Sequence, residues 1–339
     1  MGREEAAELL TALLGTDPGL KALEPLILAK TEGTPFFMEE VVQTLAEEGV
    51  LRGERGRYRL ERVPTDLHIS PTVQGVLAAR IDRLAPEEKA LLQHLAVIGR
   101  EFPLSLVRLV VEQAEEELYR VLSALQRKEF LYEQPAFPEV EYLFKHALTQ
   151  EVAYHSVLQE RRKTQHEKIA QTVEQLHHGR LEEHCNELVY HYTRSGNTEK
   201  AVEYLHLAGQ QAIRRSANQE AVEYLTKGLE FLKLFPDSRA CAQQELALQV
   251  TLGYTLIAVR VFTAPEVEQT YARAYALCQR CERSDQLLDV LAGLRAIHLV
   301  RGEIRKAREV AEQRLQLAQR LTNSSALIMA HIELGEPLI

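Results

Sequence analysis

The pentapeptide AVEYL occurs at residues 201–205 and again, unchanged, at residues 221–225. A second, partial repeat relates GNTEKA at residues 196–201 to GEIRKA at residues 302–307. Both motifs place apolar residues at helical spacing, and helical units of this kind stack because they cannot bury their apolar faces singly. The spacing implies helix pairs of roughly 40 residues, somewhat longer than the roughly 34 of a standard tetratricopeptide repeat. We therefore expect residues 182–339 to form a tetratricopeptide-like helical solenoid.

Small residues in the repeated motif indicate where neighbouring helices approach each other. Alanine permits close contact between helices, and large aliphatic side chains fill the seam between them. We expect four residues of the two AVEYL copies to lie between helices: Ala201, Leu205, Ala221 and Leu225.

The segment before the repeats combines helices with strand-like runs. Residues 71–146 contain the patterns of four helices, followed by two short apolar runs at Phe130–Glu133 and Tyr142–Lys145. A proline-containing turn separates the two runs, which indicates a β-hairpin. Helices followed by one hairpin are the order of a winged-helix domain. We expect residues 147–181 to form a long helix that connects this domain to the repeats.

Helical patterns also occupy residues 1–51, at the start of the chain. Glycine and proline interrupt them at Gly33-Thr34-Pro35, and a helical pattern resumes immediately afterwards. Residues 52–70 mix glycine, proline and charged residues, which is the composition of a linker rather than of a packed element. The fold class that these patterns predict is mainly all-α: a helical segment, a winged-helix-like domain with one hairpin, and a solenoid.

Composition and charge argue against several classes of protein. The chain of 339 residues is 45% apolar and 26% charged, with four cysteines and a net charge of −9. This composition is typical of a soluble, core-forming protein, and the cysteines are too few for a disulfide framework. The negative charge argues against a chain-wide surface for nucleic acid. The sequence shows no leader segment and no apolar run long enough to cross a bilayer, so we expect a cytoplasmic protein without a membrane partner.

The sequence contains no recognisable catalytic motif. It lacks the Gly-x-x-x-x-Gly-Lys-Ser/Thr loop that cradles phosphates, and it lacks an apolar strand ending in paired acidic residues that would hold magnesium. Cys278 and Cys281 have no second ligand pair at zinc spacing, and the histidines between His177 and His184 lack a His-Glu-x-x-His motif. We expect that this chain alone is not an enzyme and holds no metal or cofactor of its own.

One run of residues resembles a known family. Thr31–Glu40 (TEGTPFFMEE) is similar to the Gly-x-Pro-Phe-Phe-x-Glu-Glu signature of signal transduction ATPases with numerous domains, the STAND family. IGREF at residues 98–102, FKHAL at 144–148 and EVAY at 151–154 are similar to the AAA-type ATPase part of bacterial proteins. Such ATPases are often fused to adenylate or guanylate cyclase or kinase domains, with tetratricopeptide repeats behind.

The resemblance implies a position for this chain within a larger protein. In the family a nucleotide-binding core comes first, followed by a helical domain, a winged helix and helical repeats. The chain would correspond to the part after the core. The core would bind ATP or ADP with magnesium.

The resemblance also implies which residues contact the nucleotide. Pro35, with Gly33 and Thr34 beside it, would pack against the adenine, although the family usually has asparagine at the position of Thr34. His146 would contact the β-phosphate of bound ADP and hold the closed state. The residues alone also fit a plainer interpretation, in which Thr34 caps a helix that begins at Pro35 and His146 is an ordinary residue between a strand and a helix.

Three functions are compatible with these patterns. The first is a regulatory and scaffold segment of a nucleotide-switched signalling ATPase, whose partners are a protein on the repeats and the nucleotide-binding core of the same chain. The second is a free-standing repeat adaptor that binds proteins without a nucleotide. The third is a DNA-binding winged helix. Glu115-Glu116-Glu117 at the start of the candidate recognition helix disfavours DNA, because carboxylates would face phosphates.

Overall fold

The computed structural model describes residues 2–62, 70–136, 139–260, 264–281 and 284–335. Helices make up most of these residues and the strands are few and short, which confirms the predicted mainly all-α fold. The chain divides into two compact units, Met1–Gln165 and His166–Ile339. Each unit buries its own apolar side chains.

Three α-helices and one 3-10 helix open the first unit. They are α1 (Arg3–Leu14), the 3-10 helix Pro18–Ala22, α2 (Glu24–Thr31) and α3 (Pro35–Glu47). Asp17 begins the 3-10 helix, because its side chain accepts a hydrogen bond from the Gly19 amide at 2.8 Å. The apolar faces of these helices meet in one core, whose fully buried members include Leu10, Leu14, Leu20, Ile27 and Met38.

Part of the predicted linker at residues 52–70 is folded. β1 (Leu51–Arg52) and β2 (Arg59–Leu60) form an antiparallel ladder. The composition of this segment is that of a linker, but its first half is a hairpin packed on the core. Residues 63–69 lie outside the described residues.

Backbone hydrogen bonds hold this hairpin on the end of α1. The Gly56 amide donates to the Leu13 carbonyl at 2.8 Å, and the Tyr58 amide donates to the Leu14 carbonyl at 2.9 Å. A Cβ on Gly15 would lie 2.6 Å from the Gly56 carbonyl oxygen, so only glycine permits this close approach. Composition cannot reveal such contacts, because they join backbone atoms that are far apart in the sequence.

A three-stranded antiparallel sheet accompanies the next helices of the first unit. The elements are α4 (Val73–Asp82), α5 (Pro86–Ile98), β3 (Glu101–Pro103), α6 (Leu104–Val111), α7 (Glu115–Arg127), β4 (Leu131–Gln134) and β5 (Glu141–Phe144). The predicted hairpin is confirmed as β4 paired with β5, with Leu131 opposite Phe144. β3 pairs with the other edge of β5, which gives the strand order β3-β5-β4. The sequence does not predict β3, because three residues are too few to show an alternating pattern.

Two helices follow the sheet where the sequence predicts one. α8 (Ala147–His155) and α9 (Gln159–Leu176) are separated at Ser156. The Ser156 hydroxyl donates to the Ala153 carbonyl at 2.6 Å. Serine hydroxyls that bond nearby carbonyls compete with helical hydrogen bonds. The expectation of one long helix over residues 147–181 is therefore wrong.

The described elements after α9 in the second unit are all helices. They are α10 (Cys185–Ser195), α11 (Thr198–Arg214), α12 (Asn218–Leu232), α13 (Arg239–Val259), α14 (Pro265–Cys281), α15 (Ser284–Val300), α16 (Ile304–Arg320) and α17 (Ser324–Gly335). Each of these helices packs against the next, and α13 also contacts α11 and α15. Contacts restricted to near neighbours are those of a helical solenoid. The four residues predicted between helices are fully buried: Ala201, Leu205, Ala221 and Leu225.

Glycines let three of these helices pack closely around one tyrosine. The Tyr271 ring of α14 lies against Gly253 of α13 and Gly293 of α15. A Cβ would lie 2.9 Å from the ring at Gly253 and 2.1 Å from it at Gly293, which is too close for either position to carry a side chain. Glycine at both positions therefore sets the spacing of the three helices.

Replacing Ala221 with glutamate should destabilise the second unit. The Ala221 side chain has 0% exposure, so the variant buries an unpaired carboxylate, which is costly in an apolar seam. Thr226→Glu, on the exposed face of the same helix, is the matched control and should leave the unfolding midpoint nearly unchanged. Thermal denaturation followed by circular dichroism measures both variants. Equal midpoints for Ala221→Glu and the wild type would contradict the solenoid packing.

Candidate functional site

The Gly33-Thr34-Pro35 motif forms the turn between α2 and α3. Glu32 and Gly33 have positive φ angles of 50° and 71°, and the Thr34 amide donates to the Thr31 carbonyl at 2.9 Å. α3 begins at Pro35, where a missing amide hydrogen costs nothing. The Thr34 side chain makes no capping hydrogen bond. Thr34 and Pro35 therefore occupy the N-cap and first helical positions of the plainer interpretation, but the Thr34 side chain adds no capping bond.

The motif borders an open cleft in the first unit. Thr34 and Pro35 are exposed, and Gly33 is half-buried. The cleft has a volume of about 420 Å³ and is lined by Gly2, Ala6, Pro25, Leu28, Ala29, Glu32 and Gly33. Glu32 supplies the only ionisable side chain of this lining.

His146 lies between β5 and α8, at the strand-to-helix junction that the sequence predicts. Its ring centroid is 3.9 Å from the ring centroid of Phe36, with the two planes tilted by 43°. Phe36 directly follows Pro35, so the structure brings the two segments nominated by the resemblance next to each other. The sequence does not predict Phe36 as a site residue, although Phe36 lies in the Thr31–Glu40 motif.

The surroundings of His146 favour its neutral form. Burial lowers the pKa of His146 below 6.5, the positive charges of Lys145 and Arg100 lower it further, and Glu39 acts in the opposite direction. The Nε2 atom is buried and has no hydrogen-bond partner among the described residues. A phosphate can reach this atom only if the imidazole or a neighbour that covers it moves.

A buried arginine fastens α3 to the rest of the first unit. The Arg80 side chain of α4 is 1% exposed and donates to the carboxylates of Glu40 and Glu47, the second at 2.7 Å. It also donates to the Lys128 carbonyl at 2.8 Å, and its guanidinium lies 4.7 Å over the Phe130 ring. One side chain thus joins α3, α4 and the segment between α7 and β4.

Burial disfavours the charged forms of the side chains in this cluster. Desolvation raises the pKa of Glu40, although the Arg80 cation beside it acts in the opposite direction. Desolvation also works against the charged form of Arg80, but Glu47 and Glu40 outweigh it and hold the pKa of Arg80 above its ordinary value. Each partner therefore depends on the others, because an unpaired charge at this depth is costly.

The two glutamates that end the quoted motif have different partners. Glu40 points inward to Arg80, whereas Glu39 accepts from Arg55 of the β1–β2 hairpin at 2.8 Å. The sequence signal for Glu40 is its position one helical turn after Phe37 and beside Val41, which are both buried. An acidic residue among buried apolar positions of a helix needs a cation, but the sequence does not indicate which one.

The other candidate residues form no further site. Among the described residues, no group of three or more His, Cys, Asp or Glu side chains could hold a metal ion. Cys278 and Cys281 are buried on α14. The His177 and His184 rings stack at 3.5 Å. None of the described helices is long and apolar enough to span a membrane.

Comparisons with known proteins show distant similarities. No family model matches this chain. An uncharacterized protein of Rhizobium meliloti (strain 1021) is 26% identical over 270 residues, which are 78% of this chain and 26% of that protein. The chain thus spans about a quarter of the length of this curated relative.

A solved structure is also similar to this chain. It is a signal transduction ATPase with numerous domains (STAND) with a tetratricopeptide repeat sensor, from Pyrococcus horikoshii. The superposition has a TM-score of 0.41 at 11% identity and covers 99% of this chain and 50% of that chain. Neither match assigns an activity to this chain.

Removing Arg80 should destabilise the first unit strongly. Arg80→Ala leaves the Glu40 carboxylate buried without its partner, and breaking a buried pair in this way costs about 3–5 kcal/mol. Arg83→Ala breaks the exposed pair with Glu48 and is the matched control, because exposed pairs contribute little. Urea denaturation followed by circular dichroism compares the two variants. If both variants lose the same unfolding free energy, the Arg80 cluster is not the main interaction that holds α3 in place.

The low pKa of His146 predicts a loss of stability in acid. The unfolded chain takes up a proton at His146 near the ordinary pKa of 6.5, whereas the folded chain takes it up only at lower pH. The folded state therefore loses stability as the pH falls from 6.5 to the folded-state pKa. His146→Gln removes this contribution, so its unfolding free energy should change less between about pH 7.5 and about pH 5.5. Denaturation at both pH values checks this. An unchanged pH dependence would contradict the assignment.

Proposed function

We propose that this chain is a non-catalytic regulatory segment of a nucleotide-switched signalling ATPase, whose helical repeats bind a protein partner. The observation that carries the proposal is the contact between Phe36 and His146. This contact brings Gly33-Thr34-Pro35 close to His146. The resemblance assigns the first segment to contact with adenine and His146 to contact with the β-phosphate. A single nucleotide held beside these segments would reach both.

The nucleotide itself would be held by another part of the protein. The sequence has no phosphate-binding loop, so ATP or ADP with magnesium would bind to a nucleotide-binding core. Pro35 would offer a rigid apolar face to the adenine, and its exposed position leaves that face accessible. His146 would donate its Nε2 hydrogen to a phosphate oxygen, which is a hydrogen bond to a charged acceptor.

A change in the position of α3 would be transmitted to the sheet through the Arg80 cluster. Because α3 is tied through Glu40 and Glu47 to Arg80, and Arg80 to the Lys128 carbonyl, α3 cannot shift alone without breaking buried charge pairs. Nucleotide contact at the start of α3 would therefore bias the arrangement of the elements that carry His146. A switch requires such contacts that differ between two states.

The solenoid is the proposed partner-binding part. Stacked helical repeats present an extended surface that is suited to protein recognition. Exposed apolar side chains, including Tyr254 and Leu234, are available for such contact on this unit. A fused output domain such as a cyclase or kinase, and a cytoplasmic location, belong to the same proposal and rest on the sequence resemblance and composition.

The surface of α7 argues against the DNA-binding alternative. Its first turn holds Glu115, Glu116 and Glu117, and two of these occupy the nearby arginines: Glu115 pairs with Arg108 and Glu117 with Arg120, each at 2.6 Å. Carboxylates at this end would repel phosphates. The free-standing adaptor is the second candidate function, and the observation that favours it is the separate core of the second unit.

ADP binding by the chain joined to a nucleotide-binding core tests the proposal. His146→Ala should weaken ADP binding by about 1–3 kcal/mol, the value of a hydrogen bond to a charged group. His155→Ala replaces an exposed histidine at the C-terminal end of α8; it is the matched control and should bind like the wild type. The chain alone should not bind ADP measurably, since it lacks phosphate-cradling amides. Calorimetric titration measures all four proteins.

Equal ADP affinities for His146→Ala and the wild type would contradict the nucleotide role of His146. A protein partner that binds the joined protein equally with ADP and with a non-hydrolysable ATP analogue would favour the adaptor instead. Tighter binding in one nucleotide state would support the switch.

A further inference from the structure

His146 carries a buried polar atom without a partner. Its Nε2 atom is closed to solvent and has no hydrogen-bond partner among the described residues. Water cannot replace the partner, because an atom without accessible surface leaves no room for a water molecule. Buried polar atoms are nearly always bonded, since an unpaired one is costly. This unpaired nitrogen therefore points to another conformation in which it has a partner.

Phe36 is the neighbour placed to cover the imidazole. At a centroid separation of 3.9 Å, the phenyl ring touches the imidazole and keeps a ligand away from that side. Phe36 is only half-buried, whereas the next residue, Phe37, is packed in the core with 6% exposure. The Phe36 ring can therefore turn without disturbing the core.

The backbone beneath Phe36 is held in place. Pro35 fixes the backbone at the start of α3. One turn further on, Glu39 is bound by Arg55 and Glu40 by Arg80. A change at Phe36 is therefore a rotation of its side chain rather than a movement of the helix.

We propose that Phe36 is a gate over His146, whose ring must turn away before Nε2 can bond to an anionic phosphate oxygen. With the gate closed, the Phe36 ring packs on the imidazole, and Nε2 is buried and unpaired. With the gate open, a phosphate oxygen accepts the Nε2 hydrogen. The identity of the ligand, a nucleoside diphosphate, rests on the proposed function, whereas the gate rests on the geometry of this chain.

Chemical labelling of the 339-residue chain tests the gate without any nucleotide. Diethyl pyrocarbonate acylates accessible neutral imidazoles, and mass spectrometry of peptides gives a rate for each histidine. His155 is exposed and serves as the internal reference. In the wild type His146 should react about tenfold more slowly than His155, because labelling requires the open population. Phe36→Ala should raise the His146 rate about tenfold and leave the His155 rate unchanged.

Two further variants control this experiment. Phe36→Leu keeps apolar bulk and should give an intermediate His146 rate, which decides the question if Phe36→Ala loses its helical circular dichroism signal. Leu26→Ala removes an exposed apolar side chain elsewhere in the unit and should not change the His146 rate. If His146 in the wild type reacts as fast as His155, or if neither Phe36 variant changes its rate, the gate is overturned.

ADP titration of the joined protein tests whether the gate opposes nucleotide binding. Phe36→Ala should bind ADP about three- to tenfold more tightly, because the cost of opening is removed. Weaker or equal binding by Phe36→Ala, together with weaker binding by His146→Ala, would overturn the gate and keep the proposed function. If His146→Ala binds ADP like the wild type, the nucleotide role of His146 fails, and the labelling rates alone decide the gate.

Discussion

The first unit depends on the buried guanidinium of Arg80. Its removal from water is favourable only because acceptors surround it: the carboxylates of Glu40 and Glu47 and the carbonyl of Lys128. These partners lie 33 to 48 residues away along the chain, so the cluster joins elements that no local pattern connects. It fixes α3, and the position of α3 in turn fixes where Pro35 presents its exposed face and where the Phe36 ring meets His146.

Two adjacent residues at the start of α3, Phe36 and Phe37, have different roles. Phe37 is packed in the core, whereas Phe36 leaves the core and covers an imidazole that has an unpaired nitrogen. A fold can tolerate one such costly group when the surrounding packing is strong, and groups of this kind often act in a second conformation. The depressed pKa of His146 is consistent with this view, because burial keeps the ring neutral until a ligand or a movement changes its surroundings.

Local patterns predicted the fold better than the site. Helical spacing gave the solenoid and the burial of Ala201 and Ala221, and two strand-like runs gave the β4–β5 hairpin. The short β3, the hairpin held on α1 by backbone bonds and the break at Ser156 depend on contacts that spacing does not encode. His146 and the Gly33-Thr34-Pro35 motif were nominated by resemblance alone. Phe36 and Arg80 became visible only when distant segments were brought together.

We propose that the nucleotide state is communicated through the contact between Phe36 and His146. The most direct measurement is ¹⁹F NMR of 4-fluorophenylalanine at position 36 in the chain joined to a nucleotide-binding core. The resonance should shift, or divide into two populations with different weights, between ADP and a non-hydrolysable ATP analogue. The same substitution combined with His146→Ala should reduce that difference. A resonance that is identical in both nucleotide states would show that the contact between Phe36 and His146 does not respond to the nucleotide.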